Sequence, residues 1–147
     1  MDFATGMRVS SSGLTAQRMR MNTIASNIAN INTTQTPEGG PYRRKDVVFE
    51  SMPETRNFGE IMTAEPDKNV QRVQVTDVNV DRGAPLLKYE PNHPDADERG
   101  YVAYPNINLM EEMTNMIKAN RLFEQDLKAL KTYGELLGKE ANDIGKL

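Results

Sequence analysis

Proline placement constrains this chain more than any other feature. All eight prolines fall between Pro37 and Pro105. Proline lacks a backbone donor and clashes with the preceding turn, so it breaks helix interiors. The proline-free ends are therefore open to two long helices around an irregular centre. The expected fold class is α+β, in three parts. Residues 1–36 form an N-terminal helix, residues 37–106 a small β- and loop-rich middle, and residues 107–147 a C-terminal helix. The two long helices are expected to pack as an antiparallel, coiled-coil-like pair.

Apolar spacing at both ends supports this. From about Asp2 to Ile31, the side chains of Met7, Leu14, Met21 and Ile28 recur every seven residues. Phe3, Ile24 and Ile31 fill a second row that Ser10 and Gln17 interrupt. At the other end, Met113, Asn120, Leu127, Gly134 and Ala141 form one row, and Met116, Phe123, Leu130, Leu137 and Ile144 the other. Heptad rows of this kind mark a packed helical seam. Asn108 with Glu111 three residues on resembles a capping box and starts the last helix near Leu109. Gly6, Gly13, Gly134 and Gly138 weaken the helices, at about 1 kcal/mol each in a helix interior. The ends are thus expected to be poorly ordered alone and to fold when other chains cover them.

The stretch ASNIANINT, residues 25–33, carries three asparagines although asparagine is a poor helix former. Amides donate and accept hydrogen bonds without charge, which suits a surface enclosed by neighbours. Simple solvation, or a fraying helix end, would explain them equally well. The expected subunit interface takes in Ile24, Asn27, Ile28, Asn30 and Ile31 on the first helix. On the last helix it takes in Met116, Phe123, Leu127, Leu130 and Leu137.

The middle reads as strands and loops. RRKDVVFESM is a candidate strand. VQRVQVTDVNVD alternates but slips phase, with Val73 and Val75 odd and Val78 and Val80 even. A bulge or turn near Thr76 and Asp77 would restore one apolar face. DRGAP and EPNHPDADERG read as loops, and YVAYP as a short strand.

Composition excludes several functions. A net charge of −3 is no basic footprint for nucleic acid. The absence of cysteine removes disulfides and thiolate metal sites. No apolar run approaches the ~18 residues of a membrane span, and no cleaved signal peptide is visible at MDFATGMRV. His93 stands beside Asp95, Asp97 and Glu98, but a calcium-loop alignment puts Arg99 and Asn106 where ligand oxygens belong. RRK, Arg43–Lys45, is followed by Asp46 and Glu50 and suits surface salt bridges. No phosphate-binding loop, dinucleotide fingerprint or serine elbow occurs. No catalytic, cofactor-binding or metal residue is expected.

ASNIANINT also resembles the N-terminal motif of the bacterial flagellar rod and hook axial proteins. NTTQTPEGGPYRRKDVVF, residues 32–49, and YEPNHPDADERGYVAYPNIN, residues 89–108, are similar to the proximal rod members in particular. MEEMTNMIKANRLFEQDLKALKT resembles their C-terminal helix. Gln35, Gln125 and Asp126 depart slightly from the pattern. The resemblance implies a structural building block and no enzyme. It implies a place in the basal-body rod in the periplasmic space, reached through the flagellar type III export apparatus. Terminal helices would line the export channel, with neighbouring proximal and distal rod subunits, copies of itself and the rod-base adaptor FliE as partners. It further implies an export element at Phe3 and Met7 in FATGM, residues that the helix rows explain as well. The competing readings are a sister axial subunit, a coiled-coil adaptor outside any flagellum, and a metal-dependent hydrolase.

Overall fold

The computed structural model describes residues 3–53 and 71–144. Six elements follow in order. They are α1 (Phe3–Ala29), β1 (Lys45–Pro53), β2 (Gln71–Val80), β3 (Leu86–Tyr89), β4 (Tyr101–Tyr104) and α2 (Leu109–Ile144). Two long helices frame a small strand region, as the proline distribution dictates. The helix start expected at Asp2 and the side chains of Phe3, Ala141 and Ile144 lie outside the described residues.

Helix boundaries follow capping chemistry. The Asn108 side-chain oxygen accepts the backbone N–H of Met110 at 3.0 Å and of Glu111 at 3.4 Å, satisfying free donors of the first turn of α2. Glu111 and Glu112 in that turn also suit its positive dipole end. At its far end α1 stops at Asn30. The Asn30 amide donates to Ser26 O at 2.8 Å, and its oxygen accepts the Thr33 hydroxyl at 3.2 Å. The chain then turns back through Gly39 and Gly40, both at positive φ (92° and 73°). Two successive residues in that region call for glycine. The turn closes with Gly39 N–H on Thr36 O and Thr36 N–H on Gly40 O, both 2.9 Å. It returns Tyr42, whose N–H donates to Thr33 O at 3.0 Å.

β1 pairs with β2, and β3 pairs antiparallel with β4 from Leu86 opposite Tyr104 to Tyr89 opposite Tyr101. β2 runs unbroken across the phase slip. Its half-buried positions are Arg72, Val75 and Val78, every third residue rather than every second. Two-stranded ribbons twist strongly, which rotates side chains away from strict alternation. Between Val75 and Val78 the Asp77 carboxylate accepts the Val78 N–H at 2.7 Å.

The chain forms two compact units. The first comprises Met1–Arg18, Phe49–Thr76 and Ala119–Leu147, and the second Met19–Val48 with Asp77–Lys118. In the first unit α1 and α2 pack antiparallel through a narrow seam. A Cβ on Gly6 would sit 3.0 Å from the Tyr133 ring, and one on Gly13 would sit 2.8 Å from the Asp126 carboxylate. Glycine at these points is what lets the facing side chain reach the helix backbone. Ala16 and Ala119, also buried in this unit, are small as well. The Ser12 hydroxyl accepts Val73 N–H of β2 at 3.2 Å. The second unit has a fuller core of Ile24, Val47, Val102 and Ile107.

Candidate functional site

Both helices bury a face one residue out of phase with one of their apolar rows, that of Met7 and Leu14 on α1 and that of Met113 and Leu127 on α2. On α1 the covered positions include Gly6, Gly13, Ile24 and Asn27. On α2 they are Glu112, Ala119 and, half-buried, Met116, Phe123, Asp126, Leu130 and Tyr133. The row of Met116, Phe123 and Leu130 thus lies on the covered face. Its companion row is Glu112, Ala119, Asp126 and Tyr133, not Met113, Asn120, Leu127 and Gly134. Small and polar residues share the seam with Ile24, Met116, Phe123 and Leu130, and the row of Met113 and Leu127 is turned aside.

At the seam of the second unit sits a polar knot. Asn27 is 0 % exposed and Glu112 1 %. The Asn27 amide nitrogen donates to Lys45 O at 2.8 Å and to Glu112 Oε2 at 3.0 Å. Its oxygen accepts Lys45 N–H at 3.0 Å and the Tyr42 hydroxyl at 3.1 Å. All four hydrogen-bonding capacities of one amide are used. Because Tyr42 gives its proton to Asn27, the Ser26 hydroxyl is the donor in the 3.2 Å contact to Tyr42. Arg44 Nε meets the second Glu112 oxygen at 2.7 Å. Partial burial draws the Arg44 guanidinium toward neutrality. The bond and charge of Glu112, with Asp46 and Glu111, outweigh this and hold its pKa above the ordinary value. The knot joins α1, the start of β1 and the first turn of α2. Both bonds from Asn27 to Lys45 imitate a neighbouring strand.

In the first unit, Asp126 rests on Gly13, where burial pushes its carboxyl pKa up. The Gln17 side-chain oxygen is buried with no hydrogen-bond partner among the described residues.

The displaced rows make an apolar flank. One residue is a rotation of about 100° on either helix. The partner helix runs and faces the opposite way, so stepping one residue on from each seam row emerges on the same side of the pair. In the first unit this side carries Met7 and Leu14, half-buried, with Leu127, 39 % exposed. In the second it carries Met21 and Ile28, half-buried, with Met113. Farther round α2 in that unit are Met110, 71 % exposed, and Ile117, 55 % exposed. Leu122, Leu136 and Leu137 are exposed on the first unit's part of α2.

The expected interface residues therefore divide. Ile24 and Asn27 are buried inside the second unit. Ile28, Asn30, Ile31, Met116, Phe123 and Leu130 are half-buried, and Leu127 and Leu137 exposed. Asn27 and Asn30 answer the puzzle of the amides. One is the centre of the knot and the other caps α1, while the third, Asn32, is exposed. Glu112, Arg44, Gly6 and Gly13 escaped the sequence reading because neither charge nor glycine scores as seam. The signal was there in the spacing of Gly6, Gly13 and Asn27, seven and then fourteen residues apart.

The loop between β3 and β4 engages its own acids. Thr34 donates to Asp95 at 2.6 Å, and Asp97 accepts Arg99 and Tyr101 N–H at 2.9 and 2.8 Å. His93 Nδ1 accepts Asp95 N–H at 3.1 Å. Among the described residues no group of three or more histidine, cysteine or acidic side chains is placed to hold a metal ion. No described helix is long and apolar enough to cross a membrane.

Comparison with known proteins points one way. Residues 7–35 match the family described as flagella basal body rod protein, and residues 98–144 match the flagellar basal body rod FlgEFG protein C-terminal family. The flagellar basal-body rod protein FlgC of Borreliella burgdorferi is 42% identical over 132 residues, covering 84% of this chain and 86% of the relative. FlgC of Aquifex aeolicus is 38% identical over 136 residues, covering 92% of each. FlgC of Escherichia coli O6:H1 is 36% identical over 131 residues, covering 89% and 90%.

Proposed function

The chain belongs to the FlgC family of flagellar basal-body rod proteins, and from that premise we propose that its apolar flank is the surface on which the proximal rod assembles. The protein is a structural subunit of the basal-body rod. It works by binding neighbours, not by turning over a substrate. The observation that supports the flank is the exposure of Leu109, Met110, Met113 and Ile117 on one stretch of α2. Large apolar side chains clustered in water mark a surface with a partner. Methionine suits unlike partners, because its unbranched thioether adapts to different shapes. A rod grows when head-to-tail contacts continue without closing. In this reading α1 and α2 stand in the wall of a tube around the export channel, and the strand region faces other rod subunits. Neighbours are copies of the chain, the sister rod proteins and, at the base, FliE. The subunit reaches the periplasmic space through the type III export apparatus, with Phe3 and Met7 as its recognition element.

The test is the double substitution Met113→Glu with Ile117→Glu. Two charges on the flank leave the seam untouched but cannot be buried against a neighbour without partners. The variant is expected to be exported at the normal level, to be missing from isolated basal bodies, and to leave cells unable to swim. Normal swimming would refute the flank. For export, Phe3→Ala is expected to abolish secretion. Normal secretion with failed assembly would assign Phe3 to the helix pair instead.

A further inference from the structure

We propose that Asn27, Arg44 and Glu112 form a register key, a polar device that selects one sliding position of α2 on α1. The need for a key comes from the repeats. Met7, Leu14, Met21 and Ile28 recur by seven, as do Met116, Phe123, Leu130 and Leu137. Sliding one helix by a heptad would return the covered row of Met116, Phe123 and Leu130 and the flanking row of Met7, Leu14, Met21 and Ile28 to equivalent positions. The narrow seam does not forbid the slide either, because glycine stands at both Gly6 and Gly13 and either can receive a bulky partner.

The knot is different, because it does not repeat. A slide of seven residues one way sets Asn27 against Ala119, whose side chain neither donates nor accepts. It also carries Glu112 beyond Ala29, where α1 ends. A slide the other way runs Asn27 past Leu109, the start of α2. Either way Lys45 N–H and C=O, the Glu112 carboxylate and the Arg44 guanidinium lose the partners they have at 2.7–3.0 Å. A buried polar group without partners is costly, whereas an apolar row merely finds the next one. A single buried asparagine sets register in coiled coils by this means, at some cost in stability. Here the key also engages the backbone of β1, so the strand is clamped in the same event.

The chain has no cysteine, so introduced pairs report helix register without background. A disulfide needs Cα atoms within about 7 Å, and a heptad slide moves a helix by about 10 Å. Ile28→Cys is combined with Met110→Cys or Met113→Cys to report the native register. It is combined with Ile117→Cys or Asn120→Cys, each seven residues on, to report the slid one. Intramolecular disulfides are read in the full chain, oxidised in cells, with the key intact and with the key replaced as Asn27→Leu, Arg44→Met and Glu112→Met. Replacing all three members together avoids leaving a lone buried charge. With the key, the native pair is expected to trap in strong preference to its counterpart. Without it, the preference is expected to fall to about parity. Retention of the native preference in the triple variant would overturn the proposal. So would loss of every disulfide, since the knot would then hold the helices together rather than choose among registers. Equal trapping with the key intact overturns it as well. The readout lies within one chain and is independent of the rod reading.

Discussion

The substitution Asn27→Asp replaces one atom group and tests the polar knot in detail. A carboxylate keeps the two acceptor bonds, from Lys45 N–H and from the Tyr42 hydroxyl. It loses the two donor bonds, to Lys45 O and Glu112. Two buried acceptors left without donors cost about 1–3 kcal/mol each. The new charge would also face the Glu112 carboxylate at about the 3.0 Å of the present bond. At an effective dielectric near 20, that repulsion is about 5 kcal/mol. The pair relieves it by holding one proton between them. A net loss of at least about 3 kcal/mol at pH 7.5 follows from these terms. The direction with pH is fixed too. The folded pKa of the new carboxyl lies above its unfolded value near 3.9, so the folded state holds a proton that the unfolded state releases. The deficit therefore grows as pH rises through that window and shrinks as it falls, by about 1.4 kcal/mol per pH unit. Urea unfolding of the full chain, followed by far-UV circular dichroism at pH 7.5 and 4.5, measures both. Asn27→Ala, which adds no charge, is expected to change far less between the two. An unchanged midpoint for Asn27→Asp at pH 7.5, or a deficit that does not shrink in acid, would refute the reasoning.

Asp126→Asn is expected to raise stability at pH 7. The native carboxyl has its folded pKa raised by burial, so stability falls as pH rises through the interval above 3.8, and the amide should remove that slope in a pH series of unfolding curves. Gly13→Val puts branched carbon where Asp126 Oδ2 already lies 2.8 Å from a Cβ position. Overpacking of this kind costs about 1–3 kcal/mol, measurable as a lowered melting temperature, while a gain would place the seam elsewhere. Leu130→Asp introduces an unpaired charge on the covered face of α2, at a cost on the order of several kcal/mol. Cells carrying it are expected to export the protein yet not swim, scored by secretion blots and soft-agar spreading.

The helices were legible because their determinants are local. Proline exclusion, the Asn108 cap and heptad spacing all act over a few residues, and α2 begins at Leu109 as they require. Strands β1, β2 and β4 were legible for the same reason, while β3, Leu86–Tyr89, was not named. The identity of the buried face was not. Apolar counting favours Met7, Leu14, Met113 and Leu127, yet the helices meet through Gly6, Gly13, Asp126 and Tyr133 in one unit and through Asn27 and Glu112 in the other. Two determinants decide this, and neither is a local propensity. One is the steric allowance for a ring or a carboxylate to lie on bare backbone. The other is the demand of Lys45, on a strand eighteen positions away in sequence, for an amide partner. Asn27 is a poor helix former whose worth depends wholly on residues that α1 alone does not contain.

The one-residue offset between what is greasy and what is enclosed has a consequence for handling and for the cell. Along the helix seam each copy encloses glycine, alanine and Glu112, and it leaves Met110, Met113, Leu127 and Leu137 facing outward. Two copies that meet before reaching the growing structure would clump through those same faces, faster as the square of their abundance. On the proposed assembly through the flank, synthesis in step with delivery, or passage in an extended form, would keep those faces apart until they meet their neighbours.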